Sequence, residues 1–548
     1  MKRNQNIVFW VLFVSILLGG IFLRFWNLGR PSFWVDEVNT FYTAKSWNET
    51  GKMLMPSGMV NERAPLYTIV TALSFRLFGM NEVTTRIPSA VFGVLSILLT
   101  YFITTRLFKS RSLGLLSAFL VSFSHFEIGW SRVARMYTLL QVLTLFLVYI
   151  FLLGFERNTL FNISSKNSWF SRNGISWPWL LIFAILLWIT FYYVHFLAIF
   201  ILAGIGVYLF ILAFVSFFFA DKKEKLLNKY ALFLVIGLFL GLAALILLPP
   251  IRNMVQYYLF YTPSWATKDS SALNRTALLD FLISAQRFPL ASFFFLGVIS
   301  MMLRRDRFAV YLTCIFATPF LLLSLVFTHR VPAYLFFVYP FFLILSAYGL
   351  WDWVKMVLEK INGLEKKQKK WLSQLVYLSL MALFVISPWL RISLHIPFFP
   401  DGMTNMAVTP EEWREASRIV LSQKKPDDLV ITSLPQTALY YGLRSDYCLN
   451  WAALEQSKME HFPQNPQGRW VDMYAGVVCI ESLDELASLI QKAPSGWVVI
   501  SQFHFDNAQH TPLSVRTYLQ THLKKVFETH QGTVLGFHWG PEEGMVGN

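Results

Sequence analysis

The chain has 548 residues, 55% hydrophobic and 17% aromatic, with only 14% charged and a formal net charge of +15. This excludes an ordinary soluble domain: a bilayer crossing takes about 20 apolar residues, and the run 177–220 is long enough for two. Three cysteines exclude a disulfide scaffold and show no metal-ligand spacing, and the positive charge, gathered in short clusters between apolar runs, points to a membrane rather than to nucleic acid.

The first apolar run, 7–25, follows a basic start and is closed by no small-residue cleavage site, so it reads as a retained membrane helix. A long loop, 26–86, follows. It carries Asp36 and Glu37 in "RPSFWVDEVNTFY", Glu62 and Arg63 in "NERAPLY", and a short apolar stretch at 66–79, interrupted by Arg76, which reads as an interfacial amphipathic helix. Further spans are expected at 87–105, 112–129, 136–155, 177–194, 196–220, 230–249, 288–303, 308–327, 331–350 and 371–392, eleven in all with the first. Basic clusters at Lys2 and Arg3, 106–112, 156–173, 221–229, 304–307 and 359–370 fall on every second connection. The positive-inside rule then puts the N-terminus in the cytoplasm, and the odd number of spans puts both the loop 26–86 and the tail on the outer face. If 66–79 crossed the membrane, the cluster at 106–112 would be forced outside.

The chain divides into a membrane domain, 1–397, and a tail, 398–548, of ordinary polar composition. Strand-like runs at 429–433, 497–501 and 533–539, with helix-start signals at Thr409–Glu412 and Ser482–Glu485, predict a small α/β domain outside the cytoplasm. Spacing alone does not decide whether Cys448 and Cys479 pair in an exported tail.

Several charged groups depart from a plain membrane pattern. Asp36 and Glu37 lie about ten residues past the first span, where an acid pair equally suits the first turn of a solvated helix. Glu127, Arg132 and Arg135, followed by Tyr137, gather at an outer junction of two spans, where arginines also snorkel to headgroups. Glu62 and Arg63 precede Pro65 at a helix start, His195 sits at the tip of a two-span hairpin, and His329 and Arg330 sit at the mouth of another. A lone interfacial histidine is commonly structural. Charge alternation nevertheless puts all of these on one face. Guanidinium groups bind phosphate in a bidentate manner, and a carboxylate can take a proton from an attacking hydroxyl or amine. Together they are parts for moving a group from a lipid phosphate to an acceptor outside the cytoplasm.

Over roughly residues 7–350 the sequence resembles the GT-C superfamily of integral-membrane glycosyltransferases, particularly its bacterial protein-mannosyltransferase-like and aminoarabinose-transferase-like branch. The resemblance rests on "RFWNLGRPSFWVDEVNTFYTAK" and "ERAPLYTIVTALSFRLFGMNEVTTRIPSAVFGVLSI", then on "SRVARMYTLLQVLTLF" and "HRVPAYLFFVYPFFLILSAYGL". It implies a polytopic α-helical GT-C fold and a sugar donor carried on a polyprenyl phosphate. It also implies Asp36 as catalytic base with Glu37 as its motif neighbour, and Arg63 facing the donor phosphate. Arg132, Arg135, Tyr137, His195 and Arg330 join Arg63 as candidates for the donor phosphate and substrate. Glu127 is the candidate second acid, with Arg135 and Tyr137 nearer the position where relatives carry one. The implied reaction is an inverting displacement with no obligatory metal or other cofactor, a divalent cation between Asp36 and Glu127 being the alternative. The expected partners are the lipid-linked donor, an extracytoplasmic lipid, glycan or protein acceptor and the bilayer, and the expected location is a bacterial inner membrane. Competing readings are a flippase or exporter of polyprenyl-linked glycans, which should carry ionisable groups near the midplane of its helices, and a lipid-linked polymerase or ligase.

Overall fold

The computed structural model describes residues 2–161, 173–219, 229–247, 275–284, 288–327, 330–360, 411–459, 462–529 and 532–540, with a few isolated positions between them. Its membrane domain is helical: α1 (Lys2–Phe25), α2 (Val35–Thr50), α3 (Pro65–Phe78), α4 (Glu82–Phe108), α5 (Arg111–Phe123), α6 (His125–Ser131), α7 (Tyr137–Phe155), α8 (Arg157–Phe161), α9 (Trp177–Tyr193), α10 (Phe200–Phe219), α11 (Lys229–Leu247), α12 (Ala277–Ile283), α13 (Phe288–Arg304), α14 (Arg307–Leu325) and α15 (Tyr339–Lys360). Helices cover ten of the eleven expected spans; the last, 371–392, lies largely outside the described residues, as do His329 and most of the loop 250–287. Among the described residues, six helical stretches are long and apolar enough to cross a membrane, and α5 with α6, bent by 59°, makes a seventh. The short α3 packs on α2 and α4.

Two spans depart from expectation. The stretch 112–129 is not one helix, because Ser124 is extended (φ −66°, ψ 124°) and separates α5 from α6. Carbonyls freed at that break need donors, and the fully buried Arg24 of α1 supplies them, giving Nη1 to Ser122 O (3.0 Å) and Nη2 to Val121 O (3.1 Å). The span expected at 331–350 starts with a 3₁₀ turn, Pro332–Leu335, and becomes α15 at Tyr339. Pro340 at its second position suits a helix start, where an N–H would have no partner.

The C-terminal region is the expected α/β unit. Its six strands, β1 (Leu429–Thr432), β2 (Tyr447–Cys448), β3 (Val478–Cys479), β4 (Gly496–Ser501), β5 (Lys524–Glu528) and β6 (Val534–Trp539), run in the order β3-β2-β1-β4-β6-β5. The first four are parallel, and β6 and β5 are antiparallel additions. Strand β4 is buried along its whole length, Val498 and Ile500 on one face and Trp497 and Val499 on the other, which is why its sequence is continuously apolar. Helix Trp413–Gln423 covers one face, and Leu483–Lys492, started by Ser482 accepting from Glu485 N (3.1 Å), covers the other.

This unit is seated on the loop between α1 and α4. Arg414 donates to Gly29 O (2.9 Å) and Arg30 O (2.8 Å) and pairs with Glu82. Tyr441 accepts from Phe33 N (2.6 Å) and donates to Glu82 Oε1 (2.5 Å), while Tyr440 lies against Phe33 and Phe41, ring centroids 4.8 Å from each.

Candidate active site

The site is built around Glu37. Helix α2 starts at Val35, so Glu37 reaches back to accept from Trp34 N (3.2 Å) as a first-turn acid. The same carboxylate takes Arg86 Nε (2.7 Å) and Nη2 (2.8 Å) and Ala134 N (2.8 Å), so each oxygen accepts two N–H groups and the side chain is 1% exposed. Arg86 spends its remaining donors on Leu28 O (2.9 Å), Pro31 O (3.0 Å) and Ser32 O (3.2 Å), with its guanidinium 5.0 Å from the Phe33 ring centroid. All five of its N–H groups are bonded. One buried ion pair thereby joins the loop after α1, the start of α2, the start of α4 and the turn 132–136.

Helix α4 carries a second staple one turn on. Ser89 donates to Arg135 O (3.1 Å) and meets Tyr67 OH at 2.6 Å. Between Arg86 and Ser89, Pro88 leaves the carbonyl of Thr84 without its helical donor, and Ser74 of α3 fills that place at 2.7 Å. The α3–α4 corner is thus fixed by the "RIPS" segment.

These staples put Asp36 and Arg135 together. Arg135 Nη2 lies 3.1 Å from Asp36 Oδ2, with the side chains 11% and 26% exposed, so the pair is open to whatever enters the cleft. Arg135 also acts electrostatically on Tyr137, whose ring stands 4.7 Å from Trp130 and 5.7 Å from His195. His195 caps the turn after α9, its Nδ1 accepting from Leu197 N at 3.2 Å, which leaves the proton of the neutral ring on Nε2. Arg63, exposed, acts electrostatically on Tyr137 and on Tyr474 of the C-terminal unit, and Asp36 acts on both tyrosines too. Tyr474 is brought there by the turn 472–476, which rests on the loop through Ser57 N to Tyr474 O (3.2 Å) and Ser57 Oγ to Met473 O. Burial raises the Tyr474 phenol above its usual range, with Arg63 opposing, so it stays neutral at ordinary pH.

Of the residues expected from sequence, Asp36, Arg63, Arg135, Tyr137 and His195 form one cluster of ion-pair, ring and electrostatic neighbours, next to Glu37. The others do not join that cluster. Arg132 donates to Leu23 O (3.1 Å), Arg24 O (3.3 Å), Trp26 O (2.6 Å) and Asn27 O (3.3 Å), closing the C-terminal end of α1. Glu127 is fully buried in α6, where Gln141 Nε2 donates to it (2.9 Å) and also to Phe336 O (2.8 Å); among the described residues its other oxygen has no hydrogen-bond partner. Arg330 gives Nε to Ser324 O (2.7 Å) at the end of α14. Among the described residues, no three His, Cys, Asp or Glu side chains stand close enough to share a metal ion. Sequence reasoning missed Arg86, Arg24, Ser89, Tyr67 and Tyr474. An arginine opening an apolar span, as Arg86 does, was the available signal for a buried acid partner.

Residues 62–164, from Arg63 through Arg86, Arg135 and Tyr137 to the end of α8, match the family model for dolichyl-phosphate-mannose-protein mannosyltransferase. Two uncharacterized proteins of Aquifex aeolicus (strain VF5) are 31% identical over 145 residues and 32% over 121, covering 25% and 22% of this chain. The matches span only 29% and 27% of those proteins. Among solved structures, ArnT from Cupriavidus metallidurans superposes with TM-score 0.56 in the apo state and 0.55 bound to undecaprenyl phosphate, at 14% and 12% identity, covering 98% of both chains. AglB from Archaeoglobus fulgidus, in complex with an inhibitory peptide and a dolichol-phosphate, superposes with TM-score 0.58 at 12% identity, covering 99% of this chain and 75% of AglB. This chain therefore has the GT-C fold that ArnT and AglB show.

Proposed function

We propose that the protein transfers a sugar from a polyprenyl-phosphate donor to an acceptor on the outer face of a bacterial inner membrane. In this reading the N-terminus is cytoplasmic and the C-terminal unit extracytoplasmic. The observation that carries the proposal is the open Asp36–Arg135 pair, fixed from below by a carboxylate, Glu37, whose acceptor sites are already filled. Relatives of the same fold holding undecaprenyl phosphate and a dolichol-phosphate support the donor class.

Asp36 takes the proton of the acceptor hydroxyl or amine. The freed electron pair attacks the anomeric carbon, the bond from that carbon to the phosphate oxygen breaks, and polyprenyl phosphate leaves with the electron pair. The sugar is inverted. Arg135 and Arg63 hold the phosphate and stabilise the charge it gains on leaving. Glu37 and Arg86 position Asp36 and Arg135, and Tyr137, His195 and Tyr474 form the walls that shape the cleft. Arg132, Glu127 and Arg330 take no step here, and no metal is required.

The test is turnover in proteoliposomes. Purified protein is given polyprenyl-phosphate mannose or aminoarabinose labelled in the sugar, with membrane lipid or glycan acceptors. Label on an acceptor together with released polyprenyl phosphate supports the reading. Intact donor moved across the bilayer would replace it with the exporter reading, and transfer confined to long glycans with the polymerase or ligase reading.

A further inference from the structure

Cys448 and Cys479 stand opposite each other on adjacent strands. They are register partners in the parallel pair β2–β3, and both are fully buried. Residues paired this way point to the same face, and neighbouring strands run about 4.8 Å apart, inside the roughly 4.4–6.8 Å that a cystine spans between Cα atoms. The two side chains share a small apolar cluster with Leu454, packed by Trp451 and Trp470. Both thiols are free in this structure. The third cysteine, Cys314, lies in α14.

Strand β3 has only two residues and lies at the edge of the sheet, so few ladder bonds hold it. It continues directly from the turn 472–476, which hydrogen-bonds Ser57 and carries Tyr474, a tyrosine on which Arg63 and Asp36 act electrostatically. A covalent link at Cys479 anchors the far end of that turn.

We propose that Cys448 and Cys479 form a disulfide that clamps β3 to β2 and so holds the turn 472–476 on the loop at Ser57. The proposal rests on the outward placement of the C-terminal unit, because disulfides persist in oxidising compartments. Each thiol gives up a proton, the two sulfurs bond, and the two electrons pass by thiol–disulfide exchange to a disulfide-bearing oxidoreductase, which is reduced to a dithiol. Since both sulfurs are sealed in the folded unit, exchange takes place on the folding chain, before Trp451 and Trp470 close over them.

The experiment counts thiols in the full-length protein. Membranes are denatured under alkylating conditions with and without prior reduction, and the modified cysteines are mapped by mass spectrometry. Modification of Cys314 alone before reduction, and of all three cysteines after it, is the expected result. Modification of Cys448 and Cys479 without reductant overturns the disulfide. A second arm separates that failure from a failure of orientation: Leu513, 69% exposed on the C-terminal unit, is replaced in Leu513→Cys and probed in sealed cells with a membrane-impermeant maleimide. Labelling there combined with free Cys448 and Cys479 removes the disulfide and leaves the transferase reading standing. Absence of labelling removes the outward placement and the disulfide with it. In a Cys448→Ser/Cys479→Ser variant, proteolysis within 472–476 should rise several-fold; an unchanged rate shows that the pair does not hold the turn. If that variant does not fold, the thiol count on the wild-type chain decides.

Discussion

Replacing Glu37 by Gln tests whether the site stands on one buried carboxylate. The wild-type side chain accepts four N–H groups at 2.7–3.2 Å, two of them from Arg86. Glutamine keeps one acceptor oxygen and turns an amide NH2 toward the other two donors, so two hydrogen bonds are lost and Arg86 is left buried with no opposing charge. Breaking a buried pair from one side costs about 3–5 kcal/mol. For a membrane domain of about 400 residues that should lower the melting temperature by roughly 4–6 °C, read by tryptophan fluorescence in detergent. Activity should fall as well, by about 100-fold, since a shift of about 1 Å in Asp36 or Arg135 is enough. Replacing both partners, in Glu37→Leu/Arg86→Met, should cost less stability than Glu37→Gln alone. A Glu37→Gln variant that melts with the wild type and transfers sugar normally would refute the positioning role and exclude Glu37 as a reacting group.

Other outcomes follow from the same geometry. Arg132→Ala should lose about 2–3 kcal/mol of stability, because four carbonyl contacts at the end of α1 go with it; donor affinity should not change in an equilibrium lipid-binding assay, and a loss there would place Arg132 in the site. Arg135→Ala and Arg63→Ala should each chiefly raise the KM for donor, by about tenfold; an unchanged donor dependence removes the residue from the phosphate site. In the C-terminal unit, burial pushes Glu411 up from 4.5 to about 7, against hydrogen bonds from Trp413 and Ser501. Its folded pKa lies above its unfolded one, so its full contribution is present below pH 4.5 and is lost as pH rises through about 7. Glu411→Gln keeps an acceptor for Trp413 Nε1 and cannot ionise, so it should match the wild type near pH 4 and exceed it by about 3 kcal/mol near pH 9. Parallel melting curves at both pH values check the sign.

Much of the fold was legible because membrane burial writes a strong pattern. Apolar length located ten helices, and continuous or alternating apolar runs located β1, β4 and β6. The two-residue strands β2 and β3 carry too little pattern to read. The break at Ser124 was hidden because its cause is Arg24, a hundred residues earlier, supplying donors to the freed carbonyls. In the candidate site, charge placement marks Asp36, Arg63, Arg135, His195, Arg132 and Arg330 alike, and cannot separate an arginine paired with a carboxylate, as Arg135 is with Asp36, from one that bonds backbone carbonyls, as Arg132 and Arg330 do. That distinction depends on which carbonyls lie nearby in space. Tyr474 comes from a turn in another unit, more than 400 residues from Asp36 along the chain, and no local signal marks it.

The central claim is that Asp36 accepts the acceptor's proton while the arginines hold the donor. Asp36→Asn keeps the shape of the side chain and removes the base, so it is measured in single-turnover transfer from polyprenyl-phosphate sugar, alongside equilibrium binding of polyprenyl phosphate. Transfer should fall by at least about 1,000-fold while the lipid still binds and the melting temperature holds, if Asp36 is the base. Transfer at a rate near that of the wild type would contradict it.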